Sequence, residues 1–110
     1  MADDVHQIPL SLAAEMTKAY RDAYPNSSLC SAYQKNAFDR LMKQTGCVGI
    51  RCYFALTTDE SHGTTQAGRL TLVMVGYDSN GNDMVDGELA EMGYPCPDVC
   101  SISNVLNGGD

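Results

Sequence analysis

Two cysteines near the C-terminal end have the spacing of a metal-ligand pair. Cys96 and Cys100 enclose the three residues Pro-Asp-Val. This C-x3-C spacing lies within the C-x2-C to C-x4-C range of zinc-binding pairs, and it differs from the C-x-x-C of thioredoxin-like redox motifs. The alternatives are that both are buried thiols or that they form a local disulfide, because cysteine is readily buried. The spacing therefore leaves zinc binding, structural burial and a redox role open.

The compartment decides how the cysteines are interpreted. The chain has 5 cysteines, an odd number that cannot pair completely within one molecule. No apolar run reaches the roughly 18 residues of a membrane-spanning helix, and the N-terminal segment MADDVHQIPL is acidic and lacks an apolar signal core. These features predict a cytoplasmic protein. In the reducing cytosol, thiols or metal ligands are more common than disulfides.

Composition limits the classes of partner. The 110 residues predict a single domain, residues 1–110, because a core needs most of that length. The formal net charge of -7 argues against binding to nucleic acid or to an anionic membrane, since both require a basic surface. An acidic partner is not expected from this charge, whereas a basic partner or a cation is compatible with it.

The acidic turn after the most apolar segment is similar to a calcium loop in part. Four side chains stand at the EF-hand ligand positions 1, 3, 5 and 9, namely Asp78, Asn80, Asn82 and Asp86. However, Asp83 occupies the position that requires glycine, and Leu89 occupies the position of the bidentate glutamate. The Asn-Gly pair favours a hairpin turn. Calcium is therefore not expected here.

Two helices are predicted ahead of the strands. Residues 1–7 are expected to form a flexible arm. The first helix should begin near Ile8 with Ser11 as N-cap, and its apolar stripe comprises Leu12, Met16, Ala19, Tyr20 and Ala23. The second should run from Ala32 to Gln44, with Ala37, Phe38, Leu41 and Met42 facing inward. Gly46 should then adopt the left-handed conformation.

The strands follow from residue alternation. The first is expected from Cys47 to Leu56, and the second from Leu70 to Tyr77, with apolar side chains on both faces. Met84 and Val85 should return as a short third strand, followed by a helical turn around residues 88–92. The predicted fold class is α+β, with two N-terminal helices packed on an antiparallel sheet of about three strands and an irregular Cys/Pro-rich tail over residues 94–110.

Three blocks of the sequence resemble a group of small, uncharacterised cytoplasmic proteins of Bacteroidota-type bacteria. The blocks are GCVGIRCYFAL at 46–56, LTLVMVGYDSNGNDM at 70–84 and YPCPDVCSISNVLN at 94–107. The resemblance implies no activity, but it groups Cys47, Cys96 and Cys100 as a possible zinc-ligand set. The fourth ligand would be His62, His6, Asp98, water or a group from a partner chain.

The residues favour a non-enzymatic module that self-associates or binds a protein partner. With only two helices available, the second face of the sheet is expected to lack cover, and exposed apolar surface marks interfaces. The predicted interaction face consists of Val73, Val75, Tyr77, Arg51 and Tyr53. The alternative is a small thiol- or zinc-binding protein that uses the cysteine-bearing tail. A small enzyme acting at the polar 57–68 loop stays open as a third class.

Overall fold

An antiparallel pair of eight-residue strands forms the centre of the fold. The computed structural model describes residues 4–58, 68–91, 93–96 and 100–109, with the backbone alone for residues 94 and 95. Strand β2 spans Gly49–Leu56 and strand β3 spans Leu70–Tyr77. They pair in register from Gly49 opposite Tyr77 to Leu56 opposite Leu70. The predicted bounds of β3 are confirmed, whereas β2 begins two residues later than predicted.

The two predicted helices are present with shifted boundaries. Helix α1 spans Leu10–Ala23 and helix α2 spans Lys35–Met42. The prediction of Ser11 as N-cap is wrong: Pro9 holds that position, since its extended backbone and missing N–H suit the residue ahead of a helix. Gly46 has the predicted positive φ, at 89°, in the turn that leads into β2. Helix α2 starts after Ala32 because Ala32 belongs to a strand.

The third strand of the main sheet lies later in the chain than predicted. Strand β4 spans Leu89–Ala90 and pairs with Val75 and Met74, which gives the order β2-β3-β4. Met84 and Val85 form no strand, and the preceding Asp83 makes only an isolated bridge to Tyr77. The expected helical turn around 88–92 is also wrong where the structure describes it, because residues 89 and 90 are extended. Pairing with β3 outweighs the local helical preference of this segment.

A second, two-stranded sheet was not predicted. Strand β1 spans Cys30–Ala32 and pairs antiparallel with strand β5, Tyr94–Cys96, in a register that sets Cys30 opposite Cys96. The prediction of an irregular tail is therefore wrong for its first three residues. Further along, the guanidinium of Arg21 donates a hydrogen bond of 2.9 Å to the Leu106 carbonyl, which connects the tail to α1.

The core lies between α2 and one face of the main sheet. Leu41, Met74 and Ala90 are 0%, 2% and 4% exposed and pack together. Four half-buried side chains surround them, namely Tyr33, Ala37, Phe38 and Ile50. Helix α1, in contrast, contains no buried residue. The predicted packing of helices on the sheet is thus confirmed for α2 and not for α1.

Helix α2 is too short to cover the sheet. Its eight residues measure about 12 Å at 1.5 Å per residue, whereas an eight-residue strand measures about 27 Å. The chain accordingly exposes 7975 Å², against about 6,000 Å² for a monomeric protein of 11.9 kDa. Its radius of gyration is 15.4 Å, against about 13 Å for a compact domain of this length. No helix in the described ranges has the length and apolarity needed to cross a membrane.

Replacing Leu41 tests whether this small cluster holds the fold together. Leu41→Ala should lower the free energy of unfolding by about 2–5 kcal/mol, because it removes a fully buried side chain and leaves a cavity. The neighbouring Met42→Ala serves as control, since Met42 is 53% exposed, and should cost under about 1 kcal/mol. Urea denaturation followed by circular dichroism measures both. Equal losses in the two variants would contradict the core described above.

Candidate functional site

The five residues of the predicted interaction face lie together on one side of the main sheet. The register places Arg51 opposite Val75, Tyr53 opposite Val73 and Gly49 opposite Tyr77, on the face that points away from the core. No described helix packs on this face. Its apolar content is nevertheless largely hidden, because Val75 is 2% exposed and Val73 and Tyr77 are half-buried. Whether this face binds a partner stays a prediction.

The side chain of Arg51 helps to close this face. Its guanidinium lies 4.7 Å from the ring centroid of Tyr77, a cation–π contact, and Arg51 stands directly opposite Val75 across the strands. On the other side of Val75, Leu89 is its partner in β4. Val75 therefore lies between Arg51 of β2 and Leu89 of β4 in the sheet.

A polar cluster of Arg51, Tyr53 and Asp83 occupies the same face. Arg51 and the Tyr53 hydroxyl each donate a hydrogen bond to the Asp83 carboxylate, one to each oxygen. The hydrogen bond from Tyr53, assisted by Arg51, lowers the pKa of Asp83 below its usual value. The same bond to Asp83 raises the pKa of Tyr53. The cluster therefore favours an ionised Asp83 and a neutral Tyr53.

The turn after β3 positions Asp83 for this role. The Asp78 carboxylate accepts hydrogen bonds of 3.0 Å from the backbone N–H groups of Asn80 and Asn82, and Gly81 has a φ of 83°. The turn predicted from the Asn-Gly pair is present, but it leads to an isolated bridge at Asp83 and not to a third strand. That calcium does not bind here stays a prediction.

The most exposed apolar residues of the sheet lie on the other face, beyond the end of α2. Phe54 is 83% exposed and Leu56 is 65% exposed, and Cys52 on the same face is exposed too. Their strand, β2, is also the terminal strand of its sheet, so one of its edges has no described partner. The predicted interaction face did not include these residues. The signal that could have revealed them was the length of α2 compared with that of the strand.

The predicted zinc ligands are distributed between two places. Cys96 and Cys100 are joined in a disulfide, whereas the Cys47 thiol donates to the Gly49 carbonyl at 3.2 Å and lies against Gly76. In the described part of the chain, no three His, Cys, Asp or Glu side chains form a group that could hold a metal. The proposed fourth ligands His62 and Asp98 lie outside the described residues, and the His6 amide bonds to Asp4. Zinc binding by the reduced chain stays a prediction.

A third cysteine, which sequence analysis did not associate with the tail, lies next to this disulfide. Cys30 is an exposed free thiol directly opposite Cys96 in the β1–β5 pair. Directly paired residues of antiparallel strands point to the same face of the sheet. The two cysteines also line one cavity of about 350 Å³, together with Leu29, Thr17, Ser101, Asn104, Leu106 and Asn107. Strand pairing thus creates a cluster of Cys30, Cys96 and Cys100, called the cysteine cluster below.

A second cavity also borders β1. It measures about 200 Å³ and is lined by Tyr20 of α1, by residues 28–31 and by the sheet residues Phe54, Leu70, Thr71 and Leu72. Cys30 and Leu29 line both cavities. The exposed end of β2 and the cysteine cluster therefore share strand β1 as a common wall.

Comparisons with known proteins returned no relative. No family model matches the chain, and neither a curated protein nor a solved structure matches it. The resemblance to small Bacteroidota-type proteins consequently stays a prediction.

Acid titration tests the Asp83 cluster. Because its pKa is lowered in the folded protein, Asp83 stabilises the fold above its unfolded pKa of about 3.9, and this stabilisation is lost as the pH falls through the folded pKa. Asp83→Asn should therefore be less stable than the wild type near neutral pH, and its stability should fall less steeply below about pH 4. Urea denaturation at a series of pH values measures this, with Asp86→Asn as control. If the free energy of unfolding of Asp83→Asn fell with pH as steeply as that of the wild type, Asp83 would not be the stabilising group.

Proposed function

We propose that this chain is a non-enzymatic, self-associating module, in which β2 of one copy pairs with β2 of a second copy. One observation carries the proposal: β2 is a terminal strand of eight residues whose side chains Phe54 and Leu56 are 83% and 65% exposed. An exposed edge of this kind is a template for pairing with another strand.

The edge lacks the features that usually block such pairing. Edge strands of monomeric proteins carry charges, prolines or bulges, or they are very short. In GIRCYFAL the only charged residue is Arg51, and its guanidinium is bonded to Asp83. The strand therefore offers its backbone groups to a partner with little opposition.

The backbone groups of alternate residues point to the open edge. The Thr57 N–H donates to the Arg69 carbonyl at 2.8 Å, so the groups of residue 57 face β3. Hydrogen-bonding direction alternates along an antiparallel pair. The N–H and C=O groups of Leu56, Phe54 and Cys52 consequently face outward, which makes them available for a second copy.

Twofold symmetry fits this edge well. An axis normal to the sheet brings two β2 strands together antiparallel and keeps each face of the sheet on its own side. Phe54 and Leu56 of both copies then lie on one continuous surface, and the contact is self-complementary, as in most homodimers. The Arg51 clusters lie together on the opposite surface.

The surface area of the chain supports a second copy as partner. The excess over a compact monomer is about 2,000 Å², which is within the range that a subunit of an obligate homodimer buries. The net charge of -7 argues against nucleic acid as the partner.

Changing Phe54 tests the proposal. Phe54→Lys should weaken self-association at least tenfold, because burying one phenylalanine contributes roughly 1.5–3 kcal/mol and about 1.4 kcal/mol corresponds to a factor of ten. Sedimentation equilibrium at low to high micromolar concentrations gives the association constant. All proteins carry Cys52→Ser, so that a disulfide across the new interface does not contribute.

Ile102→Lys is the matched control, since Ile102 is 86% exposed and lies in the tail. It should leave the association constant within about twofold of the parent, as a change away from the interface does. A parent that sediments as a monomer at every concentration would overturn the proposal. Equal weakening by both substitutions would show that nonspecific hydrophobic contact is responsible.

A further inference from the structure

We propose that the cysteine cluster is a thiol–disulfide exchange site in which Cys96 is the shared sulfur, able to bond to Cys100 or to Cys30. The inference does not depend on self-association. It rests on three observations: the Cys96–Cys100 disulfide, the free thiol of Cys30, and the β1–β5 register that sets Cys30 opposite Cys96.

The strand pairing places Cys30 and Cys96 within disulfide-bonding range. Opposed residues of antiparallel strands have Cα atoms about 4.5–5.5 Å apart, and disulfides span Cα distances of about 4.4–6.8 Å. Both side chains leave the same face of the β1–β5 pair and line the same cavity. A bond between them therefore needs no rearrangement of the backbone pairing.

Burial makes Cys30 the preferred attacking group at Cys96. Cys96 is only 3% exposed, so thiols from solution have little access to its sulfur. Cys30 and Cys100 are both exposed. A solution thiol therefore attacks the disulfide at the exposed Cys100, whereas Cys30, on the neighbouring strand, is the group that reaches Cys96.

The exchange step conserves atoms and electrons. The Cys30 thiolate attacks Cys96 Sγ, the Cys30–Cys96 bond forms and the Cys96–Cys100 bond breaks. Cys100 Sγ leaves with the electron pair and takes up a proton, which replaces the proton that Cys30 gave up. No oxidant or reductant is consumed. The product holds β1 and β5 together covalently and presents Cys100 as an exposed thiol.

Disulfide mapping in a three-cysteine parent tests the exchange directly. The parent carries Cys47→Ser and Cys52→Ser, so that only the cysteine cluster remains. It is equilibrated with a mixture of reduced and oxidised glutathione, acid-quenched, alkylated with N-ethylmaleimide and digested without reduction. Mass spectrometry should find two populations, one with Cys30 alkylated and one with Cys100 alkylated. The proposal would be overturned if the parent contained no population in which Cys96 is bonded to Cys30 and Cys100 is alkylated.

Single replacements identify the shared sulfur. Adding Cys100→Ser should give the Cys30–Cys96 disulfide, and adding Cys30→Ser should give only Cys96–Cys100. Adding Cys96→Ser should leave Cys30 and Cys100 both alkylated. The variant with Cys96→Ser can form only a Cys30–Cys100 bond, and the variant with Cys100→Ser should form Cys30–Cys96. If both bonds form equally readily, the sulfurs meet by random motion and the proposal fails. Circular dichroism checks that each variant is folded. Disulfide mapping of the parent tests the exchange even if a variant fails to fold.

Discussion

The pairing of β2 with β3 is the constraint on which the other parts of the molecule depend. It presents two faces of eight-residue strands to the rest of the chain, and among the described elements the eight-residue helix α2 packs on one of them. Leu41 of this helix packs on Met74 and forms the core with it. On the opposite face, no described helix covers Val75, which lies between Arg51 and Leu89. At the far end of the strand pair, Phe54 is 83% exposed.

Local sequence patterns were sufficient to predict the long elements. The short strands depend on pairing between distant segments, and the patterns did not predict them. The bounds of β3 and the turn at Asp78 could be read from apolar alternation and turn chemistry, because both signals lie within a few residues. Strands β1, β4 and β5 have two or three residues each, too few for any periodicity, and form because a distant segment pairs with them. The five residues of the predicted interaction face lie on one side of the sheet, but Val75 is 2% exposed between Arg51 and Leu89, whose positions only the register determines.

The same limit applies to the cysteines. The short spacing of Cys96 and Cys100 was visible in the sequence, and a local disulfide was one of the alternatives considered. Cys30 is far away in sequence and becomes a neighbour only through β1–β5 pairing. The Cys96–Cys100 and Cys30–Cys96 disulfides also differ in the length of the loop that they close. In the chain-entropy model, closing the short Cys96–Cys100 ring contributes about 2 kcal/mol and closing the loop from Cys30 to Cys96 about 4 kcal/mol. Exchange would therefore transfer the disulfide to the bond that restricts the unfolded chain more.

Strand β1 connects the two proposed sites physically. Cys30 and Leu29 line the cavity that contains Cys96, and they also line the cavity beneath Phe54. Tyr33, directly after β1, donates a hydrogen bond to the Leu72 carbonyl in β3. A covalent bond from Cys30 to Cys96 would fix β1 to β5 and thereby fix one wall of the apolar cavity next to the sheet edge.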